Sequence, residues 1–298
     1  DALPICLMIP ICKEVYDLAS EVTGLDIPAL CFEENEKINI TEYTQICMLA
    51  TEAAIYMALE QNGYQPDVTA GLSLGEYGAL IASGVMTAEE AFELVRKRGI
   101  FMQEAVPAGG AMAAVLGLDA AAIEQICRDT AEQTGSEVSI ANYNCPGQIV
   151  ISGQEEAVHL AGETCKASGA KRVVPLKVSG PFHSKMLRGA GEKLKEELKK
   201  VEISDSFVPY IANVTADYVT KKEEVKLLLA SQVSSSVRWQ QTIERLLADG
   251  ADEFVEIGPG RTLSGFVKKV NRDVKVSSID KMEDFIQFIG SHVEAGAC

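Results

Sequence analysis

Hydrophobic positions change their spacing several times along the chain, and each change marks an element. From Glu42 to Asn62 the sequence is rich in Ala, Met, Leu and Ile and closes with Asn62-Gly63, which predicts a mostly buried helix with a C-terminal stop. Val68-Thr69-Ala70 then enters the glycine-flanked stretch Gly71-Leu72-Ser73-Leu74-Gly75, and Glu76 to Ser83 returns to helical composition. This predicts a strand, a tight turn and a helix. After Gly84, Thr87 and Glu90 make a capping box, opening a helix that runs through Arg96, Arg98 and Gln103 to Pro107.

The next stretch alternates in a recognisable order. Residues 112–116 suit a strand, 120–134 a helix ending at Gly135, 138–142 a strand, and Asn144-Cys145-Pro146-Gly147 a turn. Residues 148–152 read as a strand, 154–168 as a helix ending at Gly169, and 171–178 as a strand. The sum is βαββαβ, the ferredoxin-like arrangement. Beyond it come a Lys/Glu-rich helix from Lys185 to Lys200, a strand near Phe207–Asn213, a helix from Val237 to Ala248 and a strand over Glu253–Ile257. A Gly258-Pro259-Gly260 turn, a helix to Lys269, a strand at Val274–Ser277 and a helix over 282–290 complete the pattern. The expected fold is an α/β domain with a mostly parallel sheet, formed by 1–109 and 180–298, interrupted by a small ferredoxin-like domain over 110–179.

The chain has 298 residues, enough to bury a full core at 47% hydrophobic content. Its 27 Lys+Arg against 43 Asp+Glu give a formal charge of −16, which opposes binding to a phosphate backbone and excludes a general nucleic-acid binder. Eight scattered cysteines show no CxxC pair and no Cys/His cluster at metal-ligand spacing, so no metal site is expected and a reducing, cytoplasmic compartment fits. The opening run from Ala2 to Cys12 is short, broken by two prolines and preceded by no basic residue. It reads as neither a signal peptide nor a membrane span, and no membrane partner is expected.

Candidate chemistry centres on Ser73. In a nucleophile elbow a serine sits on a sharp strand-to-helix turn, small neighbours relieve the crowding, and the hydroxyl points away from the sheet. Gly71 and Gly75 meet that demand, and the helix behind Ser73 aims backbone N–H groups at any oxyanion formed there, Leu74 N–H first among them. A serine nucleophile needs a base, and the chain offers His159, His183 and His292. His159 falls within a surface helix and His292 six residues from the C-terminus, whereas His183 follows Gly180-Pro181-Phe182 at a strand exit, where active-site loops gather. Arg98, read alone beside Arg96 and Lys97, is a helix-surface charge.

Five stretches carry a family resemblance. AGLSLGEYGAL (70–80), RGIFMQEA (98–105), NYNCPGQ (142–148), VSGPFHS (178–184) and EIGPGRTLSG (256–265) resemble, in order and spacing, the malonyl-CoA:acyl-carrier-protein transacylases of bacterial fatty acid synthesis. The resemblance implies a hydrolase-like α/β fold with a ferredoxin-like insert and a ping-pong transfer. Ser73 would take the malonyl group from coenzyme A with His183 as base, and the phosphopantetheine thiol of acyl carrier protein would then accept it. No tightly bound cofactor is implied; coenzyme A enters only as the thioester substrate. The resemblance further implies that the backbone carbonyl of Gln232 orients His183 and that Arg98 grips the malonyl carboxylate with its guanidinium fork. By the same resemblance, Phe182 leaves no room for an α-methyl branch. Met102 and Asn142, inside matched motifs, join the candidate substrate-binding set, and a monomer is expected.

Two departures shape the expectations. The match begins near Ile9-Pro10-Ile11-Cys12, without a counterpart of the family's N-terminal strand and FPGQG turn, whose glutamine supplies a second oxyanion N–H. An upstream segment would restore both; without one, a large loss of rate is expected, because one such donor carries a factor of about 100 to 1000. Leu72 stands where many relatives carry His, and is expected to alter substrate contacts rather than chemistry. A serine esterase or thioesterase and a catalytically impaired scaffold subunit stand as the alternative functions. An acidic carrier protein would need a local basic face, for which Lys171, Arg172, Lys177, Lys185, Arg188 and Lys193 are candidates, with Lys268, Lys269 and Arg272 beyond the GPG turn.

Overall fold

The structure is a computed structural model that describes residues 8–105, 109–177 and 180–295. The helix expected to reach Pro107 is described to Glu104, and the ends of the strand expected over 171–178 and of the VSGPFHS motif fall partly outside the described residues, as do Cys6 and Cys298. Among the described residues no helix is long and apolar enough to cross a membrane.

The chain opens with helices α1 (Pro10–Thr23), α2 (Ile27–Phe32) and α3 (Thr41–Gln61). The sequence reading missed α1, although Cys12, Val15, Tyr16 and Ala19 are buried at the i, i+3, i+4, i+7 spacing of one helical face. α3 is buried on most sides, as its composition predicts. Strand β1 (Thr69–Ala70) leads through the glycine-rich turn into α4 (Gly75–Ala82), and α5 (Ala88–Glu104) begins at the predicted capping box, with both reciprocal bonds between Thr87 and Glu90 present.

Strands β2 (Gly110–Leu116), β3 (Val138–Cys145), β4 (Gln148–Gln154) and β5 (Arg172–Pro175) form one sheet in the order β3-β4-β2-β5, every neighbouring pair antiparallel. Helix α6 (Ala120–Thr134) connects β2 to β3, and α7 (Glu155–Ala167) connects β4 to β5. Strand alternation sorts the side chains cleanly. Ala113, Val115, Ile149 and Ile151 pack with Ile123, Cys127, Val158 and Cys165 of the two helices, whereas Met112, Ala114, Ala141 and Val150 line the opposite face, against which Phe182 packs. The expected turn at Asn144–Gly147 is shorter than read, because β3 continues to Cys145.

The remaining elements are α8 (Arg188–Leu198), β6 (Tyr210–Ala212), β7 (Asp217–Tyr218), α9 (Lys222–Gln232), α10 (Trp239–Ala248), β8 (Glu253–Ile257), α11 (Thr262–Val270), β9 (Lys275–Ile279) and α12 (Met282–Ala295). The helix expected from Lys185 starts instead as a 3-10 turn over Lys185–Leu187, and the one expected from Val237 starts at Trp239. Val237 N donates to Ala141 O at 2.8 Å and Tyr143 N donates to Val237 O at 2.9 Å, so that segment is tied to β3 rather than coiled into the helix.

The sheet outside 110–175 differs from the single, mostly parallel sheet expected. Among the described residues it consists of two pieces: β1 parallel to β6 with β7 antiparallel beside it, and β8 parallel to β9. The architecture is mixed α/β. Its largest core is helical, built from α1, α3, α4, α5, α8 and α9 around residues such as Ile46, Leu49, Phe92 and Leu194.

Candidate active site

The turn between β1 and α4 bends sharply enough to put Ser73 at φ +55°, a left-handed conformation that costs a non-glycine residue on the order of 1–3 kcal/mol. The turn tolerates no side chain at Gly71, where a Cβ would lie 1.9 Å from Gly75 O. Side chains from later in the chain hold the bend. Asn213, just past β6, accepts from Ser73 N at 2.6 Å and donates through Nδ2 to Gly71 O at 2.6 Å, and Gln232 Nε2 donates to Ser73 O at 2.8 Å.

His183 is also left-handed, at φ +58°, and the Ser184 hydroxyl closes its turn by donating to Pro181 O at 2.7 Å. Its Nδ1 lies 2.9 Å from the Gln232 carbonyl oxygen, which can only accept, so Nδ1 carries the proton and Nε2 is left as an acceptor. Nε2 is 2.8 Å from Ser73 Oγ, the geometry of a hydroxyl poised to lose its proton to a base. Burial, reinforced by the Arg98 charge, lowers this imidazole to about 4, so at neutral pH it is the uncharged form that faces Ser73.

Arg98 is not a surface charge. It is 1% exposed on α5, and its Nη2 donates to Ser73 Oγ at 3.1 Å and to Gln232 Oε1 at 3.0 Å. Nη1 donates to Gln45 Oε1, the guanidinium lies over the Tyr77 ring, and Nε has no partner among the described residues. A buried guanidinium with an unsatisfied donor beside a nucleophile is suited to a carboxylate-bearing ligand. Leu74 stands at the N-cap of α4, and the N–H groups of Gly75, Glu76 and Tyr77 behind it donate to the carbonyls of Leu72, Ser73 and Leu74.

The other sequence candidates are placed less centrally. Phe182 packs against both the large helical core and the Met112/Ala114 face of the small sheet, so it sits between the two halves. Met102 is buried, and its sulfur accepts from Gln45 Nε2, one step behind Arg98. Asn142 is buried at a register shift in β3, and no hydrogen bond among the described residues joins it to the Ser73–His183–Arg98 cluster. Leu72 packs with the apolar cluster of Val237, Trp239 and Phe266. His159 forms no part of the site, and His292 stacks on Phe288 beside Glu253. Of the basic candidates, Lys185 approaches Glu137 at 3.9 Å and Lys193 pairs with Glu104 at 3.2 Å, while Lys171, Arg172, Lys177 and Arg188 are exposed.

Three residues of the site went unread in the sequence: Gln45, Glu76 and Asn213. Only Glu76 had a visible signal, an acid in the first turn of a helix otherwise buried.

The chain matches the model of the acyl transferase domain over residues 16–283. It is 48% identical over 277 residues to the malonyl CoA-acyl carrier protein transacylase of Bacillus subtilis, covering 92% of this chain and 87% of that one. Among solved structures it resembles the MCAT of Streptococcus pneumoniae (TM-score 0.91, 44% identity, 95% of this chain and 92% of that one). It also resembles the malonyl-transacylase solved in complex with its type II PKS acyl-carrier protein (TM-score 0.93, 36% identity, 97% and 94%).

Proposed function

The chain belongs to the acyl transferase domain family and, within it, to the malonyl CoA-acyl carrier protein transacylases, and on that footing we propose that it moves a malonyl group from coenzyme A to acyl carrier protein in fatty acid synthesis. The observation that carries the reading is Ser73 Oγ, held 2.8 Å from His183 Nε2 and 3.1 Å from Arg98 Nη2. A base alone would suit any serine acyl enzyme. A buried cation within reach of the same hydroxyl selects an acyl group that carries its own anion, and this favours malonyl transfer over a neutral-ester hydrolase.

In the first half-reaction Ser73 Oγ attacks the thioester carbonyl while its proton passes to His183 Nε2; Leu74 N–H faces the developing oxyanion, and the thiolate leaves with that proton as free coenzyme A. The malonyl carboxylate on Arg98 offsets the charge that helps depress His183, so binding the correct acyl group makes the base stronger. In the second half-reaction the carrier's thiol loses its proton to His183 and attacks the malonyl-serine ester, and Ser73 Oγ recovers the proton. The exposed Lys171, Arg172, Lys177 and Arg188 are suited to meet an acidic carrier.

Residues 110–179 read as a ferredoxin-like insert in a hydrolase-like body, a reading supported by the β3-β4-β2-β5 order and by the separate apolar core. A monomer belongs to the same reading, and the free described cysteines support a reducing cytoplasmic setting. The test is to incubate the protein with malonyl-CoA and map the added mass. A malonyl group on Ser73, discharged by carrier protein, is expected; an unmodified Ser73 under conditions that label a known transacylase overturns the proposal.

A further inference from the structure

Beneath the elbow lies a carboxyl group that the transfer chemistry does not use. Glu76, in the first turn of α4, is 1% exposed. Its Oε2 accepts from Gln232 Nε2 at 2.7 Å and from Asn213 N at 3.2 Å, while Oε1 is buried with no partner among the described residues. Gln232 therefore links two opposite charges. Its Nε2 is held by Glu76 and its Oε1 receives Arg98 at 3.0 Å, and its main-chain oxygen holds His183. Asn213, braced through its backbone by Glu76, is the residue that clamps Ser73 and Gly71.

We propose that Glu76 is a positioning residue of the transfer reaction, fixing Gln232 and Asn213 and taking up a proton on Oε1 when the malonyl carboxylate occupies Arg98. The inference rests on the malonyl reading above. Its physical basis is charge balance among buried groups: one buried guanidinium is balanced by one buried anion, and a second carboxylate arriving at Arg98 disfavours the charged form of the first. Gln232 Nε2 donates to Oε2 in either state, so the frame around Ser73 and His183 stays in place while the charge moves.

The surroundings permit this exchange near neutrality. Burial pushes Glu76 up to about 7, against the opposing pull of the Gln232 and Asn213 hydrogen bonds and of Arg98. Other titratable groups face α4 from its neighbours: Arg98 from α5, Tyr210 from β6, Glu52 from α3 beside Gly78, His183 across Gln232, and Tyr77 on α4 itself. Tyr77 and Tyr210 are raised by burial and stay neutral, and His183 titrates near 4. Glu52, raised by burial to about 8, is the one other group here that titrates near neutrality, and it is retained in every chain compared below.

The test follows kcat/KM for the malonyl-CoA half-reaction from pH 5.5 to 8.5 in wild type, Glu76→Gln and Glu76→Ala. Wild type is expected to lose at least about threefold between pH 6.5 and 8.5, as the free site comes to hold Glu76 ionised. Glu76→Gln keeps an acceptor for Gln232 but has no exchangeable proton, so its profile is flat over that range. Glu76→Ala loses the acceptor as well and falls at least about tenfold at every pH, with Glu76→Gln restoring most of that loss. Identical pH profiles in wild type and Glu76→Gln overturn the proposal.

A measurement on wild type alone guards against misfolded variants. Malonylation of Ser73 in weakly buffered solution takes up a fraction of a proton on Glu76 at pH 7.5, well above the range of His183; at pH 5.5 Glu76 is already protonated, and any uptake there belongs to His183. No uptake at pH 7.5, with Ser73 fully malonylated, overturns the proposal while leaving malonyl transfer intact; absence of malonylation in wild type instead refutes the underlying function.

Discussion

The four-stranded sheet over 110–175 and the cluster around Ser73 are held together by opposite means. In the sheet, Val115, Ile140 and Ile151 meet partners supplied by the next hairpin or helix, and the contacts are apolar. Around Ser73, hydrogen bonds join residues 110 to 159 positions apart, and most of the groups are polar and buried. Apolar packing degrades by degrees when a methyl group is lost, whereas a buried polar network leaves an unsatisfied group wherever one partner is removed. The sheet should therefore lose stability without losing chemistry, and the cluster should lose chemistry first.

The largest expected effect is at Ser73. Ser73→Ala removes the proposed acyl acceptor and should lower malonyl transfer by roughly 10⁴-fold or more, with no acyl mass on the protein. Arg98→Ala comes next, at about 100- to 1000-fold in kcat/KM for malonyl-CoA, measured by release of coenzyme A. Arg98→Lys should recover little of it, since one ammonium cannot reach Ser73 Oγ, Gln232 Oε1 and Gln45 Oε1 as the guanidinium fork does. If Arg98→Ala destabilised the fold but left the specificity of the folded fraction unchanged, the contrast between the two regions would fail at its centre.

Stability against pH gives a smaller, signed test. Glu76 binds a proton more tightly in the folded chain, at about 7, than its ordinary 4.5. Wild type therefore loses stability as pH rises through that window, by up to about 3 kcal/mol at most. Glu76→Gln has no such group and should gain on wild type between pH 4.5 and 7, with a constant difference above and below. His183, depressed from 6.5 to about 4, works the other way, adding stability as pH rises, but it is present in both chains and drops out of the difference. Urea titrations across pH 4.5–7.5 read the effect, and a pH-independent difference would remove Glu76 from the list of buried titrating groups.

The two regions also differ in how far their sequences reveal them. The order of strands and helices in 110–175 was legible, and α6 to the residue, because period-2 alternation and the stop at Gly135 are local signals, while strand ends differed by up to three residues. The elbow was legible for the same reason, and so was Arg98, but only through its motif, since its neighbours Arg96 and Lys97 argue for a solvated face. Asn213 and Gln45 carried no local sign. Asn213 lies 140 residues from the backbone it clamps, and nothing around Ala212-Asn213-Val214 distinguishes a clamp from an ordinary strand end. Helix α9 was missed although its last residue carries the carbonyl that orients His183, because its run of Lys and Glu followed by Leu suggests little until its partners are known.

The smallest expected effect tests the sheet side of the contrast. Ile151 is fully buried between α6, α7 and its strand neighbours, and Ile151→Val removes one methyl group from that core. A loss of about 0.5–1.5 kcal/mol is expected in urea unfolding. The opposite face of the same sheet, Met112, Ala114 and Val150, is the one that meets Phe182 and through it the loop of His183. Because neighbouring side chains on a strand point to opposite faces, a gap at Ile151 opens away from Phe182. The rate of Ser73 malonylation per folded molecule should thus be unchanged. Val150→Ala, one residue away on the other face, should slow malonylation by a fewfold through Phe182 at a comparable cost in stability. Equal kinetic effects from the two substitutions would mean that the sheet transmits strain through its full thickness, and that the division between a packing region and a chemical region does not hold at Phe182.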